Sequence, residues 1–315
     1  MKLNEISEPI LGLIFLKFAD VRFKKTQSEL IHDRATQTTS TRQAPLTPDH
    51  YKSKGILYLP ENASYFYLMS LPENENIGKA INDAMKAIEE HNRDLASVLP
   101  QEYTTISKRA DENNQILITL LKNFNQIHDD IEGDAFGEIY EYFLGEFARS
   151  EGQKGGEFFT PQSIVKLLVE VIEPYHGKIL DPACGSGGMF VQSANFVKKH
   201  SNYNSNVMNE VALYGQEKGS SNIRTAKMNL AIHGFSGKIE EVNSFYQDPF
   251  KSVGAFDFVL ANPPFNVKGE DKNGQIIIDP SRIQGDPRYY HGLPVTGKGE
   301  ISNASIYGYR FLQVP

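Results

Sequence analysis

The feature that most limits what this chain can fold into lies between residues 178 and 199. A short apolar run, Lys178-Ile179-Leu180-Asp181, leads into the loop Asp181-Pro182-Ala183-Cys184-Gly185-Ser186-Gly187-Gly188, and residues 189–199 read as a helix. A strand, a glycine loop and a helix in that order form half of a βαβ unit, whose crossover helix must pack on a parallel sheet. Glycine allows dihedrals and a close backbone approach to a ligand that a side chain would block. The alternation continues downstream: residues 211–215 read as a strand, 220–233 as a helix, and 239–242 and 256–260 as strands. Upstream, residues 161–172 read as a helix, with Thr160 as its N-cap and Pro161 at its first position. The prediction is a Rossmann-like, doubly wound parallel sheet, in which ligands bind beyond the carboxyl ends of the strands.

Before residue 150 the pattern changes. Apolar residues recur at helical spacing (Ile10, Leu13, Ile14 and Phe18; Ile77, Ile81, Met85 and Ile88; Leu117, Leu120, Leu121 and Phe124), and residues 65–68 and 134–148 also read as helices. Residues 26–55, rich in Thr, Ser, Gln and Pro, read as a long loop, and Glu151-Gly152-Gln153-Lys154-Gly155-Gly156 as a flexible joint. The expected class is α + α/β, with a helical domain over 1–150 and the sheet domain over 151–315. A chain of 315 residues is long enough for two such cores. Its net charge of -7 argues against a grip on DNA made by this chain alone, because phosphate contact requires clustered Lys and Arg. The single cysteine, Cys184, excludes intramolecular disulfides and thiolate metal clusters and suits a reducing cytoplasm. The apolar run from Ile10 to Phe18 is broken by Lys17 and is too short to span a bilayer, so no membrane attachment is expected.

The loop selects among nucleotides. A dinucleotide fingerprint would need a third glycine where Phe190 stands, and a phosphate loop would need Gly-Lys-Ser/Thr, which is absent. The next strand ends in Tyr214-Gly215-Gln216-Glu217, where a carboxylate can accept both hydroxyls of a ribose. An acid for a ribose beside a loop with no phosphate ligands indicates an adenosyl group without phosphate, and S-adenosyl-L-methionine is the candidate. Asn243 or Ser244, at the end of the following strand, could bond the adenine edge with Phe245 stacking on it; a plain turn reads equally well there. The helix start at Thr160 offers backbone N–H groups to a carboxylate, such as that of methionine.

The last element is Asn262-Pro263-Pro264-Phe265, directly after the apolar run 256–260. An amide acceptor, two prolines that stiffen the turn and a flat ring make a clamp for a planar group with an exocyclic amine. In this order the elements resemble the S-adenosylmethionine-dependent DNA methyltransferases that modify exocyclic amino groups, and among them the modification subunits of type I restriction–modification systems. The residues carrying the resemblance are GEFFTP (156–161), DPACGSGGMF (181–190), YGQEKGSSNIRTAKMNLAIHG (214–234) and ANPPF (261–265). The stretches EPILGLIFLKFAD and GDAFGEIYEYFLGEFA resemble the helical domain of the same family.

The resemblance implies that Glu157, Phe158, Phe159, Thr160, Pro161 and Gln162 lie near the methionine end of the cofactor, with Asp181, Ala183, Gly185, Ser186, Gly187 and Gly188 in its loop and Glu217 on its ribose. It implies DNA as substrate, a specificity subunit and a restriction subunit as partners, and two modification subunits per complex. Subunits of that family run well past residue 315, so the sheet domain is expected to be incomplete and the chain alone to methylate DNA poorly. The chemistry fits the residues independently. The N6 lone pair of adenine is delocalised into the ring, and acceptance of its two hydrogens by the Asn262 side-chain oxygen and the Pro263 carbonyl would raise the charge on nitrogen for direct transfer. Methylation at cytosine C5 would need a cysteine nucleophile, and Cys184 lies inside the cofactor loop. The target amine cannot be reached inside a duplex, so the base must flip out, with Phe265 stacking on it. Cytosine N4 would fit the same clamp; the resemblance favours adenine. A protein-glutamine methyltransferase and a non-catalytic scaffold are the alternatives.

Overall fold

The computed structural model describes residues 3–37, 45–72, 74–110, 115–127, 135–155, 160–200, 210–262 and 284–289. The chain forms two compact units, Met1–Phe147 with Lys227–Phe235, and Ala148–Ala226 with Ser236–Pro315.

Among its described residues the first unit has helices and no strand. Helices α1 (Leu3–Gln37), α2 (Pro48–Lys52), α3 (Tyr65–Ser70), α4 (Ile77–His91), α5 (Tyr103–Ala110), α6 (Gln115–Asn125) and the first part of α7 (Ala135–Gly155) build it. Its core is the apolar stripe seen in sequence: Leu13, Ile14, Phe18, Ile81, Met85, Ile88, Leu117, Leu121 and Phe124 are all buried. Asn76 caps α4 by accepting from the Lys79 N–H at 2.9 Å, and Ser64 caps α3 through the Tyr67 N–H at 3.0 Å. The buried hydroxyls of two tyrosines bond across the core, Tyr65 to the Leu121 carbonyl and Tyr103 to the Pro9 carbonyl, each at 2.8 Å.

Two readings of this region are corrected. The expected loop over 26–55 is helix as far as Gln37 and again over Pro48–Lys52; the polar residues do not interrupt α1, and the hydroxyls of Ser28 and Thr36 donate to the carbonyls of Lys24 and His32, four residues back. Residues 151–155, expected as part of a flexible joint, complete α7; Gly156 lies outside the described residues.

The second unit holds a four-stranded parallel sheet in the order β3-β2-β1-β4, built from β1 (Gly177–Asp181), β2 (Val211–Glu217), β3 (Lys238–Glu241) and β4 (Phe258–Val259). Helix α8 (Gln162–Ile172) precedes β1, α9 (Gly188–His200) follows it, and α10 (Ser220–Ile232) joins β2 to β3. The residues Lys227–Phe235, which end α10 and form the turn after it, belong to the first unit, where the Arg22 guanidinium donates to the Ile232 carbonyl at 2.6 Å. The described part of the sheet bears out the α + α/β reading and its parallel topology. Strand β4 is shorter than expected, but its flanks continue the ladder: Asp257 N–H donates to the Lys178 carbonyl and Leu260 N–H to the Leu180 carbonyl, each at 3.0 Å. Parallel order has a direct consequence. The chain leaves every strand at the same edge, so the segments after β1, β2, β3 and β4 stand side by side there.

Candidate active site

The first segment at that edge is the glycine loop. Asp181 ends β1 almost fully buried, and one of its carboxylate oxygens accepts from the Ala183 N–H at 3.0 Å, which starts the turn. The Cys184 N–H donates to the Gln216 carbonyl on β2 at 3.1 Å, and the Gly187 N–H closes back on the Cys184 carbonyl at 2.8 Å. Gly185 and Gly187 have φ of 51° and 78°, a region costly for any side chain. Their surroundings differ. A Cβ on Gly187 would meet Ala226 of α10 at 3.3 Å, whereas one on Gly185 or Gly188 would meet nothing within 4 Å. The loop therefore packs inward at Gly187 and presents bare backbone outward at Gly185 and Gly188. Ser186 is half-buried between them. On the neighbouring strand Gly215 leaves room for the loop, since a Cβ there would stand 2.9 Å from the Cys184 sulfur.

Glu217 ends β2 and reaches the same loop. Its Oε2 accepts from the Gly185 N–H at 3.1 Å, while Oε1 accepts from the N–H groups of Lys218 and Gly219 at 2.9 and 2.8 Å. Burial pushes the Asp181 carboxyl up to about 7, against the pull of the Ala183 N–H and with help from the Glu217 charge. The Cys184 thiol is likewise driven well above its ordinary value, first by burial and then by the charges of Asp181 and Glu217. It is held as a thiol and is no nucleophile.

The third segment follows β3, where the Val242 N–H donates to the Glu217 carbonyl at 2.8 Å. Asn243 shapes its own turn: its side-chain oxygen accepts from the Phe245 N–H and its N–H donates to Gln247 Oε1, both at 3.1 Å. Ser244 and Phe245 are buried. Sequence reasoning missed what holds this turn. Arg288, 4 % exposed, donates to the carbonyls of Ser244 at 3.2 Å, Gln247 at 2.9 Å and Phe245 at 3.4 Å, and is paired with Asp286. The Tyr289 hydroxyl adds a bond to the Phe245 carbonyl at 3.1 Å. The only sequence hint is an arginine set between an acid and two tyrosines, forty residues from its partners.

At the far side stands Asn262, three residues past β4, whose Nδ2 donates to Thr160 Oγ1 at 2.6 Å. This contact corrects the reading of Thr160 as an N-cap. The cap is Pro161, with extended dihedrals and no side-chain bond; its carbonyl accepts from the N–H groups of Ile164 and Val165, and Gln162 is the first helical residue. Thr160 caps nothing, and its hydroxyl meets Asn262 instead. The structure thus brings the glycine loop, Glu217 and the Asn243 turn together through hydrogen bonds, and joins Asn262 to Thr160. Glu157, Phe158, Phe159, Pro263, Pro264 and Phe265 lie outside the described residues.

Among the described residues no helix is long and apolar enough to cross a membrane, and no cluster of His, Cys, Asp and Glu could hold a metal ion.

Comparison with known proteins agrees with this geometry. Residues 131–303 match the family model described as N-6 DNA Methylase, and residues 1–124 match the HsdM N-terminal domain. The MjaIX type I restriction enzyme methylase subunit of Methanocaldococcus jannaschii is 36% identical over 327 aligned positions, covering 100% of this chain and 56% of the relative. The HindI methylase subunit of Haemophilus influenzae is also 36% identical, over 72% of this chain and 50% of its own. The chain spans about half the length of these relatives. A type I restriction–modification methyltransferase subunit from Streptococcus thermophilus shares the fold, with a TM-score of 0.67 at 19% identity, covering 100% of this chain and 68% of that one. With more than half of its residues inside the family model, and the glycine loop and Asn262 both within that span, the chain belongs to the N-6 DNA methylase family.

Proposed function

We propose that this chain transfers a methyl group from S-adenosyl-L-methionine to N6 of an adenine flipped out of duplex DNA, as the modification part of a type I restriction–modification assembly. The observation that carries the reading is the state of Asn262. Its amide nitrogen is engaged by Thr160, and among the described residues nothing donates to its Oδ1, which leaves an acceptor at the strand edge that also carries the glycine loop. An acceptor there takes one hydrogen of an exocyclic amine and raises the charge on its nitrogen; the Pro263 carbonyl is the second acceptor expected from sequence. With the Cys184 thiol buried and protonated, a covalent route through this cysteine is closed.

The loop residues fit an adenosyl cofactor. Gly185 and Gly188 offer backbone without obstruction, and Glu217 at the end of β2 and the Asn243 turn after β3 supply acceptors beside them. A carboxylate has roughly four lone-pair sites, and Glu217 already fills three with backbone N–H groups. Accepting both hydroxyls of a ribose would therefore require it to release or share the Gly185 N–H. When bound, the cofactor supplies an electrophilic methyl on a sulfonium. The family model and the names of the relatives, methylase subunits of type I restriction enzymes, support DNA as substrate and a place in a larger assembly; specificity and restriction subunits as partners, and two modification subunits per complex, are what the resemblance implies. A net charge of -7 agrees with leaving the grip on DNA to another subunit.

Calorimetric titration with S-adenosylmethionine tests the cofactor assignment. Glu217→Ala removes the clamp on the loop, and Gly187→Asp forces a side chain into positive φ against Ala226. Each is expected to weaken affinity about five- to 150-fold, one hydrogen-bonded charge or one strained residue being worth ~1–3 kcal/mol. Wild-type affinity in both variants would overturn it.

A further inference from the structure

The bond between Asn262 and Thr160 bears on a question that packing cannot answer. The two ends of an asparagine amide are nearly equal in size but opposite in polarity: one oxygen accepts, one NH2 donates. A clamp for an exocyclic amine works only with the oxygen forward. The turned amide would set two donors against the two hydrogens of the target. A neighbour that accepts from Nδ2 is therefore needed to hold the orientation before the base arrives.

Thr160 takes that place: a hydroxyl can pair with either end of an amide, and here it accepts from Nδ2. It lies 102 residues from Asn262, and its Oγ1 sits 2.6 Å from Nδ2. Its hydroxyl is not consumed by the helix beside it, because Pro161 is the N-cap and no side chain caps α8. Asn262 is only half-buried and three residues beyond a two-residue strand, so the backbone alone holds its side chain loosely. We infer that Thr160 is the positioning residue of the reaction: it fixes the Asn262 amide with Oδ1 turned to the target amine, and acts on the substrate only through Asn262. The inference rests on the function proposed above.

The test compares wild type, Thr160→Val, Thr160→Ser, Asn262→Ala and the Thr160→Val/Asn262→Ala double variant, each assembled with the specificity subunit. Transfer of labelled methyl to duplex DNA is measured together with cofactor affinity. Thr160→Val is expected to lower kcat roughly tenfold, the worth of about one hydrogen bond, with cofactor Kd within about twofold of wild type. Thr160→Ser restores the rate, and Thr160→Val has no further effect once Asn262 is alanine. A second readout needs no turnover. The side-chain NH2 signals of Asn262, identified by their loss in Asn262→Asp, exchange with solvent more slowly in wild type and Thr160→Ser than in Thr160→Val.

A Thr160→Val variant with intact kcat and weakened cofactor binding would place Thr160 on the cofactor and overturn the inference. Additive losses in the double variant, or equal exchange in all variants, would do the same. Failure of the function itself is distinct: the wild-type assembly would bind cofactor and label no DNA at all.

Discussion

The glycine loop and the Asn262 turn leave adjacent strands of one sheet, yet they are held in different ways. The loop is fixed by four backbone N–H groups, from Ala183, Cys184, Gly185 and Gly187, and every acceptor lies within the loop, on β1 or at the end of β2. The Asn262 side chain is held by one side-chain bond to a residue outside the sheet. In the proposed function, a cofactor that serves every turnover meets a preformed backbone cradle, and a substrate base that must enter and leave meets a side chain whose orientation is set from a distance. The two ends should therefore fail differently.

The largest effect is expected at the loosely held end. Asn262→Ala removes the proposed acceptor for the target amine, and methyl transfer should fall about 10²–10³-fold, as for loss of one preorganised transition-state partner. Calorimetry should show cofactor affinity nearly unchanged; parallel loss of both would merge the two ends into one. Arg288→Ala comes next, acting on the cofactor side. It strips the carbonyls of Ser244, Phe245 and Gln247 of a buried donor and removes the guanidinium that pairs with Asp286. A loss of ~2–3 kcal/mol is expected, seen as a fall in Tm of roughly 5–10 °C together with weaker cofactor binding.

The last effect is a slope of stability with pH, which leaves methyl transfer aside. The Asp181 carboxyl is raised from 3.8 to about 7 in the folded chain, first by burial. Between those values the folded state binds the proton that the unfolded state has lost, so this group's stabilising contribution declines as pH rises from about 4 to about 7 and is gone above it. Denaturant titrations of Asp181→Asn should lose this slope.

The same contrast explains what could be read from sequence. The glycine loop was legible because its strand, three glycines and helix are contiguous, and the strand-end acid Glu217 follows from one more strand in the same alternation. Helix α1 was legible at its apolar start and misread beyond residue 25, where its polar face carries no hydrophobic period and its hydroxyls bond backward instead. Thr160 followed the local preference for an N-cap, but a partner 102 residues away took its hydroxyl and left the cap to Pro161. Arg288 was illegible for a similar reason: its partners, Ser244, Phe245 and Gln247, are backbone carbonyls, which no side-chain pattern encodes. Local chemistry marks where a ligand can sit; the contacts that aim a side chain at it are tertiary.

The central claim is that Asn262 and the glycine loop together methylate an adenine amine. The most direct measurement supplies methyl-labelled S-adenosylmethionine and duplex DNA to the assembled protein, digests the DNA and separates its nucleosides. Label in N6-methyladenine, and its absence when Asn262→Ala replaces wild type, is the predicted result. Label in N4-methylcytosine, in a protein glutamine, or in adenine regardless of Asn262 would contradict it.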